Sequence, residues 1–431
     1  LVVVGAGCAG PAAAKKAAEL GLRTVLLEKA RVPGEKNVSG TCLNTAALID
    51  PDLHYLVAGP VEREIRSMRT YQVTKGRTTI IHEKPDSGIL LLSIRRDRFD
   101  AWHAEQARAA GAEVRLGTSV VDIIEESGAV RGVVTDTGEK LRASVVIDAA
   151  GVNSIVGRQA GLIERRSGTS MILYVTVAIH LGKRRIDREF GDTIEYFLAP
   201  GCQHKVWPWA FPKRDVVTLG TGGYMTSDLI NESTPTVNAY MQNLMDLPVL
   251  RPRLEGGRIE SWGLHLEYDE PTPRRTRDGL ILAGEAGGFV MPFLGEGMVE
   301  AFFTGIYAAQ AAAKAIAAGD TTSAALSGPY EEMLDANLFM KAFGYVAARN
   351  KESILSKTDD EIASMMQSVV MGGGFITNAV HTGWLAGAAE GDIAKVQEAR
   401  DFMELLQPYR TASSDFDGVY ASRRRGAGRG R

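Results

Sequence analysis

The chain has 431 residues, enough for two or three domains, and 45% of them are hydrophobic against 23% charged. That composition supplies a large core and excludes a chain too polar to fold. The net charge of -3 excludes a global basic field for nucleic acid, and three widely separated cysteines with no CxxC spacing argue against an iron–sulfur cluster, a zinc site or a disulfide framework.

In chain order, residues 1–4 are a short apolar run that predicts a strand, ended by Gly5-x-Gly7-x-x-Gly10. An alanine-rich stretch, 11–20, predicts a helix, and residues 23–27 predict a second strand closed by Glu28. This succession predicts a dinucleotide site. Gly5 permits a tight turn, Gly7 lets a pyrophosphate approach the backbone, and Gly10 lets the helix pack on the strand. The helix N-terminus then faces the phosphates. Glu28 is placed to accept hydrogen bonds from ribose hydroxyls, and its charge disfavours a 2′-phosphate. Lys29 is taken with it as a cofactor-binding candidate.

Residues 95–110 predict a helix, and 144–147 a strand leading into Asp148-Ala149-Ala150-Gly151. The stretch 165–275 reads mostly as strands with turns, which fits an antiparallel sheet. Residues 280–283 predict a buried strand followed by Gly284-Glu285-Ala286-Gly287-Gly288. A long helix is expected over 296–318, where Gln310 and Lys314 interrupt the apolar run and favour a core helix over a membrane span. Residues 330–408 read as helical, and the Arg/Gly-rich end as disordered. The expected fold is α/β. A nucleotide-binding domain occupies 1–165, with an excursion near 60–95, and returns at 276–330. A substrate domain fills 166–275, a helical region 331–420 and a tail 421–431.

The motifs resemble those of the glutathione-reductase-type, Rossmann-like flavoprotein superfamily, which implies FAD. Arg96-x-x-Phe99-Asp100 resembles its R-x-x-F-D segment. Gly284-Glu285-Ala286-Gly287-Gly288 resembles its G-D-x-x-G segment, with Glu285 one methylene longer than the usual Asp, so that its hydrogen bond must be re-aimed. Asp148-Ala149-Ala150-Gly151-x-x-Ser154 resembles its second glycine motif, with Ala150 where many relatives have Asp. Gly295-Glu296-Gly297-Met298 opens the long helix, whose start related flavoproteins place against the flavin pyrimidine edge; free helix N–H groups there favour negative charge. The resemblance thus adds Arg96, Gly151, Gly284, Glu285, Gly288, Gly295, Gly297 and Met298 as cofactor-binding candidates.

Within that superfamily, residues 34–43 resemble the K-N-V-x-G segment of FixC proteins and the S-G-A-C-L segment of electron-transfer-flavoprotein:quinone oxidoreductases, and Pro60-Val61-Glu62-Arg63 adds to the likeness. Residues 207–213 are similar to the aromatic F-P-K motif of geranylgeranyl reductases. Trp207, Trp209 and Phe211 alternate, so a strand would put them on one face, either as a substrate wall or as core. The W-x-W-x-F-P pattern also resembles that of flavin-dependent halogenases, the least favoured reading. The resemblance implies an FAD-dependent oxidoreductase passing electrons from a partner electron-transfer flavoprotein to a quinone or a ferredoxin-like protein. The alternative is reduction of prenyl-lipid double bonds. A cytoplasmic setting with peripheral membrane contact is expected, without a metal site. Cys42 is expected as a structural thiol, and His265 and His381 are given no role.

Overall fold

The strand nearest the start of the chain, Val2–Val4, is apolar and buried throughout. So are Val146–Asp148 and Leu280–Leu282. Continuous burial suits strands covered on both faces, and these join in parallel. In the computed structural model a six-stranded sheet runs Thr276–Arg277, Leu280–Leu282, Val146–Asp148, Val2–Val4, Val25–Glu28, Glu113–Leu116, parallel except for the first pair. The described residues are 1–341 apart from 46, 75–76, 84–87, 164–169, 226–235, 269–271, 291–294 and 338; beyond 341 only Gln397, Phe416 and Tyr420 are described. Most of the helical region expected over 331–420, the tail and His381 lie outside them.

From Val2–Val4 the chain moves to one side, to Val25–Glu28, and later returns on the other, to Val146–Asp148. Strand order therefore reverses beside the first strand, and in such sheets ligands bind at that reversal, beyond the carboxyl ends of the strands. Gly5, Glu28, Gly151 and Gly284 all follow or close strands at that edge.

A second, seven-stranded sheet takes Ser67–Thr74 and Arg77–Glu83 from the early excursion. It combines them with Met171–His180, Thr193–Leu198, Trp209–Pro212, Val216–Tyr224 and Arg258–Tyr268. It is antiparallel as expected except for one pair: Thr193–Leu198 runs parallel to Ser67–Thr74. That pair joins strands more than a hundred residues apart, which local patterning does not reveal. Two antiparallel three-stranded sheets complete the strand content among the described residues.

The helix Met298–Ala318 is buried along most of its length, and no described helix is long and apolar enough to cross a membrane. It packs on the helix Ala9–Glu19, with Gly305 so close to Ala9 that a Cβ would strike the Ala9 carbonyl oxygen. Phe302 meets Phe99 of the helix Arg96–Ala109 at a ring separation of 6.2 Å, both rings fully buried. Burying each such ring contributes about 1.5–3 kcal/mol. These three helices fix the inner wall of the site against the six-stranded sheet.

Candidate functional site

A cavity of about 860 Å³ opens at the carboxyl ends of the parallel strands. It is large by the standards of ligand sites, roughly 300–1,000 Å³. Its wall includes Gly5, Gly7, Glu28, Lys29, Arg96, Gly151, Gly284, Glu285, Gly295, Gly297 and Met298, together with Trp207, Trp209 and Phe211. Two expected residues are not on that wall. Gly10 packs behind it. Gly288 ends the short helical turn Gly284–Gly287 in left-handed backbone, φ 79°, and serves the turn instead.

The three glycines of the first motif differ physically. Gly5 has φ 98°, and a Cβ on it would sit 2.6 Å from the Ala149 carbonyl oxygen. A Cβ on Gly10 would strike the Gly5 carbonyl oxygen. Gly7 is open: an added Cβ would meet only Arg96 Nη2, at 3.7 Å. No side chain caps the helix Ala9–Glu19, so its first N–H groups remain for a ligand. An open glycine before an uncapped helix is a cradle of the size and polarity that a pyrophosphate needs. The residues present therefore fit a dinucleotide.

Two carboxylates on the cavity wall, Glu28 and Glu285, are anchored by backbone. Glu28 accepts from the Ala6 N–H at 2.7 Å and the Ala30 N–H at 2.8 Å. Glu285 accepts from the Val152 N–H at 3.1 Å and the Tyr268 N–H at 3.3 Å, so the longer side chain is re-aimed to tie the Gly151 loop to the strand Arg258–Tyr268. Asp148 is wholly buried and accepts from the Ala150 N–H, the Gly157 N–H and the Ser154 hydroxyl. Arg96 donates from Nε and Nη2 to both oxygens of buried Asp100 at 2.8–3.0 Å.

Opposite chemistry lines another wall. Trp209 lies on the strand Trp209–Pro212, whereas Trp207 precedes that strand and is 6% exposed. Shared-face alternation on one strand therefore does not explain their grouping; the turn before the strand carries Trp207 inward, onto Tyr196 at 4.8 Å. Trp209 packs edge-on to Tyr174 at 5.6 Å. A Cβ at Gly40 or Gly220 would strike the Trp209 indole, so both glycines make room for it.

Three residues at or behind this wall, Lys213, His265 and Cys42, were given no ligand role from sequence. Lys213 is fully buried and donates to the carbonyl oxygens of Gly40 and Thr41 and to Ser93 Oγ, clamping the segment ahead of Cys42–Asn44. Burial lowers its ammonium to about 8. The F-P-K pattern contained it, but nothing local showed that it would be buried. His265, given no role from sequence, lines the cavity and stacks on Tyr174 at 5.2 Å, with Glu267 3.5 Å away. The alternation His265-x-Glu267 on one strand was the available signal. Cys42 is buried on the cavity wall, and burial raises its thiol.

The start of the long helix holds the least satisfied groups. Gly295 has φ 61°, and a Cβ there would lie 2.8 Å from Glu267 Oε2 and 2.9 Å from the Tyr174 hydroxyl. Among the described residues, Glu296 Oε1, Glu267 Oε2 and both oxygens of Glu300 accept no hydrogen bond. Burial, with Glu300 beside it, pushes Glu296 up to about 8; burial pushes Glu300 up to about 7. No group of three or more metal-ligating side chains is found among the described residues.

Comparison with known proteins agrees with this geometry. A family pattern described as FAD dependent oxidoreductase matches residues 1–171, and a second of the same description matches 92–311, just over half of the chain. The protein FixC of Salmonella typhi is 28% identical over 347 residues, 78% of this chain and 81% of its own length. A probable electron transfer flavoprotein-quinone oxidoreductase of Escherichia coli, YgcN, is 30% identical over 271 residues, 62% of this chain and 63% of its own. Among solved structures, a geranylgeranyl bacteriochlorophyll reductase-like protein of Thermoplasma acidophilum shares the fold with a TM-score of 0.77 at 24% identity, covering 93% of this chain and 98% of that one. Halogenase PltM, solved with phloroglucinol and FAD, gives 0.64 at 14% identity, covering 96% and 85%. The chain belongs to the FAD-dependent oxidoreductase family, and its cofactor is FAD.

Proposed function

We propose that the protein is an electron-transfer oxidoreductase of FixC type, accepting electrons from a partner flavoprotein and passing them to a quinone or a ferredoxin-like protein. The observation that carries this reading is the similarity to FixC over 78% of the chain. It is supported by the position of the FixC-like segment, since residues 34–42 lie on the cavity wall and Lys213 holds Gly40 and Thr41 there.

Bound FAD supplies the redox chemistry, and the chain binds, orients and tunes it. Glu28, pre-aimed by the Ala6 and Ala30 amides, would accept from ribose hydroxyls. Gly7 and the first N–H groups of the helix Ala9–Glu19 would take the pyrophosphate. Arg96, Gly151, Gly284 and Glu285 border the middle of the same wall, and Lys29 extends the edge beside Glu28. Gly295, Gly297 and Met298 would meet the pyrimidine edge. Trp207, Trp209 and Phe211 would exclude water and shape the acceptor's space.

A second reading, reduction of prenyl-lipid double bonds, is favoured by that aromatic wall. Halogenation has support at the level of fold alone. Peripheral membrane contact belongs to both leading readings, because quinones and prenyl lipids reside in bilayers. Trp207 is too buried to serve as an entrance. Leu264 and Leu266 line the cavity yet remain 55% and 38% exposed, and Trp262 on the same edge strand is 42% exposed. That exposed apolar row is the surface that would meet lipid.

One anaerobic comparison tests the reading. The oxidised protein is mixed with a reduced electron-transfer flavoprotein, and the reduced protein in turn with a short-chain quinone and with a geranylgeranyl lipid, while flavin absorbance is followed. Rapid reduction by the partner flavoprotein with no saturated lipid product supports the FixC reading. Stoichiometric lipid saturation establishes the second. Recovery of the protein from native membranes by alkaline carbonate, and its pelleting with lipid vesicles, test the peripheral contact.

A further inference from the structure

We propose that Glu296 and Glu300 form a redox-linked proton site, which takes up one proton from solvent when two electrons enter the bound FAD and returns it when they leave. The inference rests on the FAD reading above and adds a residue pair to it. Glu300 stands in the first turn of the helix Met298–Ala318, fully buried, and Glu296 lies half-buried just before that helix. Both line the cavity. No other described residue donates a hydrogen bond to either oxygen of Glu300, nor to Oε1 of Glu296.

A buried carboxylate without hydrogen bonds is not held as an anion; taking a proton relieves it. The uncapped helix start favours negative charge, but its partial charge of about half a unit suits one carboxylate rather than two. The pair is therefore poised to take up one proton, shared between its two members.

The neighbouring charges do not change this balance. Glu267, from the strand Arg258–Tyr268, adds a further negative group, with His265 3.5 Å from it. Arg96 is held bidentately by Asp100, and Lys213 by three oxygens. Glu285 is fixed by two amides. The Cys8 and Cys42 thiols and the Tyr196 phenol are raised by burial and stay neutral.

The balance is simple. Two electrons arrive from a reduced flavoprotein, or from dithionite in a titration. The negative charge they bring raises the affinity of the pair for a proton, and one carboxylate becomes a carboxylic acid. No bond to carbon forms or breaks at the pair. When an acceptor removes the electrons, the proton leaves.

The test is a potentiometric titration of the FAD-replete protein with dithionite, between about pH 6 and pH 9, the range in which the raised carboxyls titrate. The wild-type potential is expected to fall more steeply with pH than that of Glu300→Gln by one proton, a tenfold change per pH unit, or about 30 mV per unit for a two-electron couple. Glu296→Gln is expected to shift the pH at which this extra slope sets in. Reduced-minus-oxidised infrared spectra of the FAD-replete protein, taken toward the upper end of that pH range, should show a protonated carboxyl band that Glu300→Gln removes or Glu296→Gln shifts. Should Glu300→Gln fail to fold, the Glu296→Gln comparison decides by itself, and an unchanged slope and band there overturn the proposal. Equal slopes in folded, yellow wild type and Glu300→Gln overturn it as well. An extra slope lost in Glu267→Gln and kept in Glu300→Gln moves the proton to Glu267 and also refutes it. A colourless wild-type protein refutes the FAD reading instead.

Discussion

Two glycine-rich segments border the cavity, and they are finished to different degrees. Around Gly5, Gly7 and Gly10 every carboxylate is already bonded: Glu28 holds two amides and Asp148 three donors before any ligand arrives. Around Gly295 and Gly297, four carboxylate oxygens on Glu267, Glu296 and Glu300 accept no hydrogen bond among the described residues. The first segment is a rigid receptor whose cost was met in folding. The second keeps its polar groups for the event in the cavity. On the proposed reading, binding and proton uptake fall to different parts of the wall, because carboxylates already held by amides orient a ligand well but stay anionic.

The first way to sharpen this contrast is within the rigid segment itself. Gly10→Ala drives a methyl into the Gly5 carbonyl oxygen and is expected to destabilise the fold by about 3 kcal/mol or more, above the ordinary overpacking range. Thermal melting measures it. Gly7→Val has room against Arg96 and is expected to fold, yet the branched side chain occupies the pyrophosphate's place and FAD is lost. A yellow Gly7→Val protein breaks the assignment of the open glycine.

A smaller effect is expected at Glu28. Glu28→Gln keeps one acceptor oxygen and loses one charge-assisted bond, worth about 1.5–3 kcal/mol. FAD should bind roughly tenfold or more weakly, read by fluorescence titration of the flavin-free protein. Unchanged affinity would mean that the ribose lies elsewhere.

The unfinished segment predicts a pH dependence of stability in the flavin-free protein. The carboxyls of Glu296 and Glu300 are raised to about 8 and about 7 in the folded state, above the ordinary value of 4.5. The folded protein therefore binds more protons than the unfolded chain between those limits. Stability is full below about pH 4.5 as far as these two groups are concerned, and is lost as pH rises through about 7 and 8. The slope is at most about 1.4 kcal/mol per pH unit for each proton. Denaturant titrations at several pH values measure it, and Glu300→Gln should flatten it. Trp209→Ala gives the smallest effect on the FAD site: lipid turnover, if present, should fall while quinone turnover stays nearly intact, because electron transfer needs less shape complementarity than placing a double bond.

Much of the receptor segment was legible because it is local. The positions Gly5, Gly7, Gly10 and Glu28 lie within one strand–turn–helix–strand unit, where spacing fixes geometry. Glu285 was singled out by its resemblance to a known motif, whereas its backbone partners Val152 and Tyr268 were not foreseen. Trp207 and Trp209 were read as strand neighbours and reach the cavity by different routes. Lys213 came to brace the wall, and His265 to line it, only when distant segments closed around them.

The sequence by itself determined the nucleotide-binding unit, the helix that follows each glycine turn, and the likeness that implied FAD, since these depend on backbone conformation over a few tens of residues. Only the tertiary structure decided that Lys213 is buried beneath the loop of Gly40, that strands 67–74 and 193–198 pair in parallel, and that Glu296 and Glu300 line one cavity wall with three carboxylate oxygens that no other described residue bonds. Burial and desolvation are properties of what packs around a group, and for these side chains that surrounding comes from segments far away in the chain.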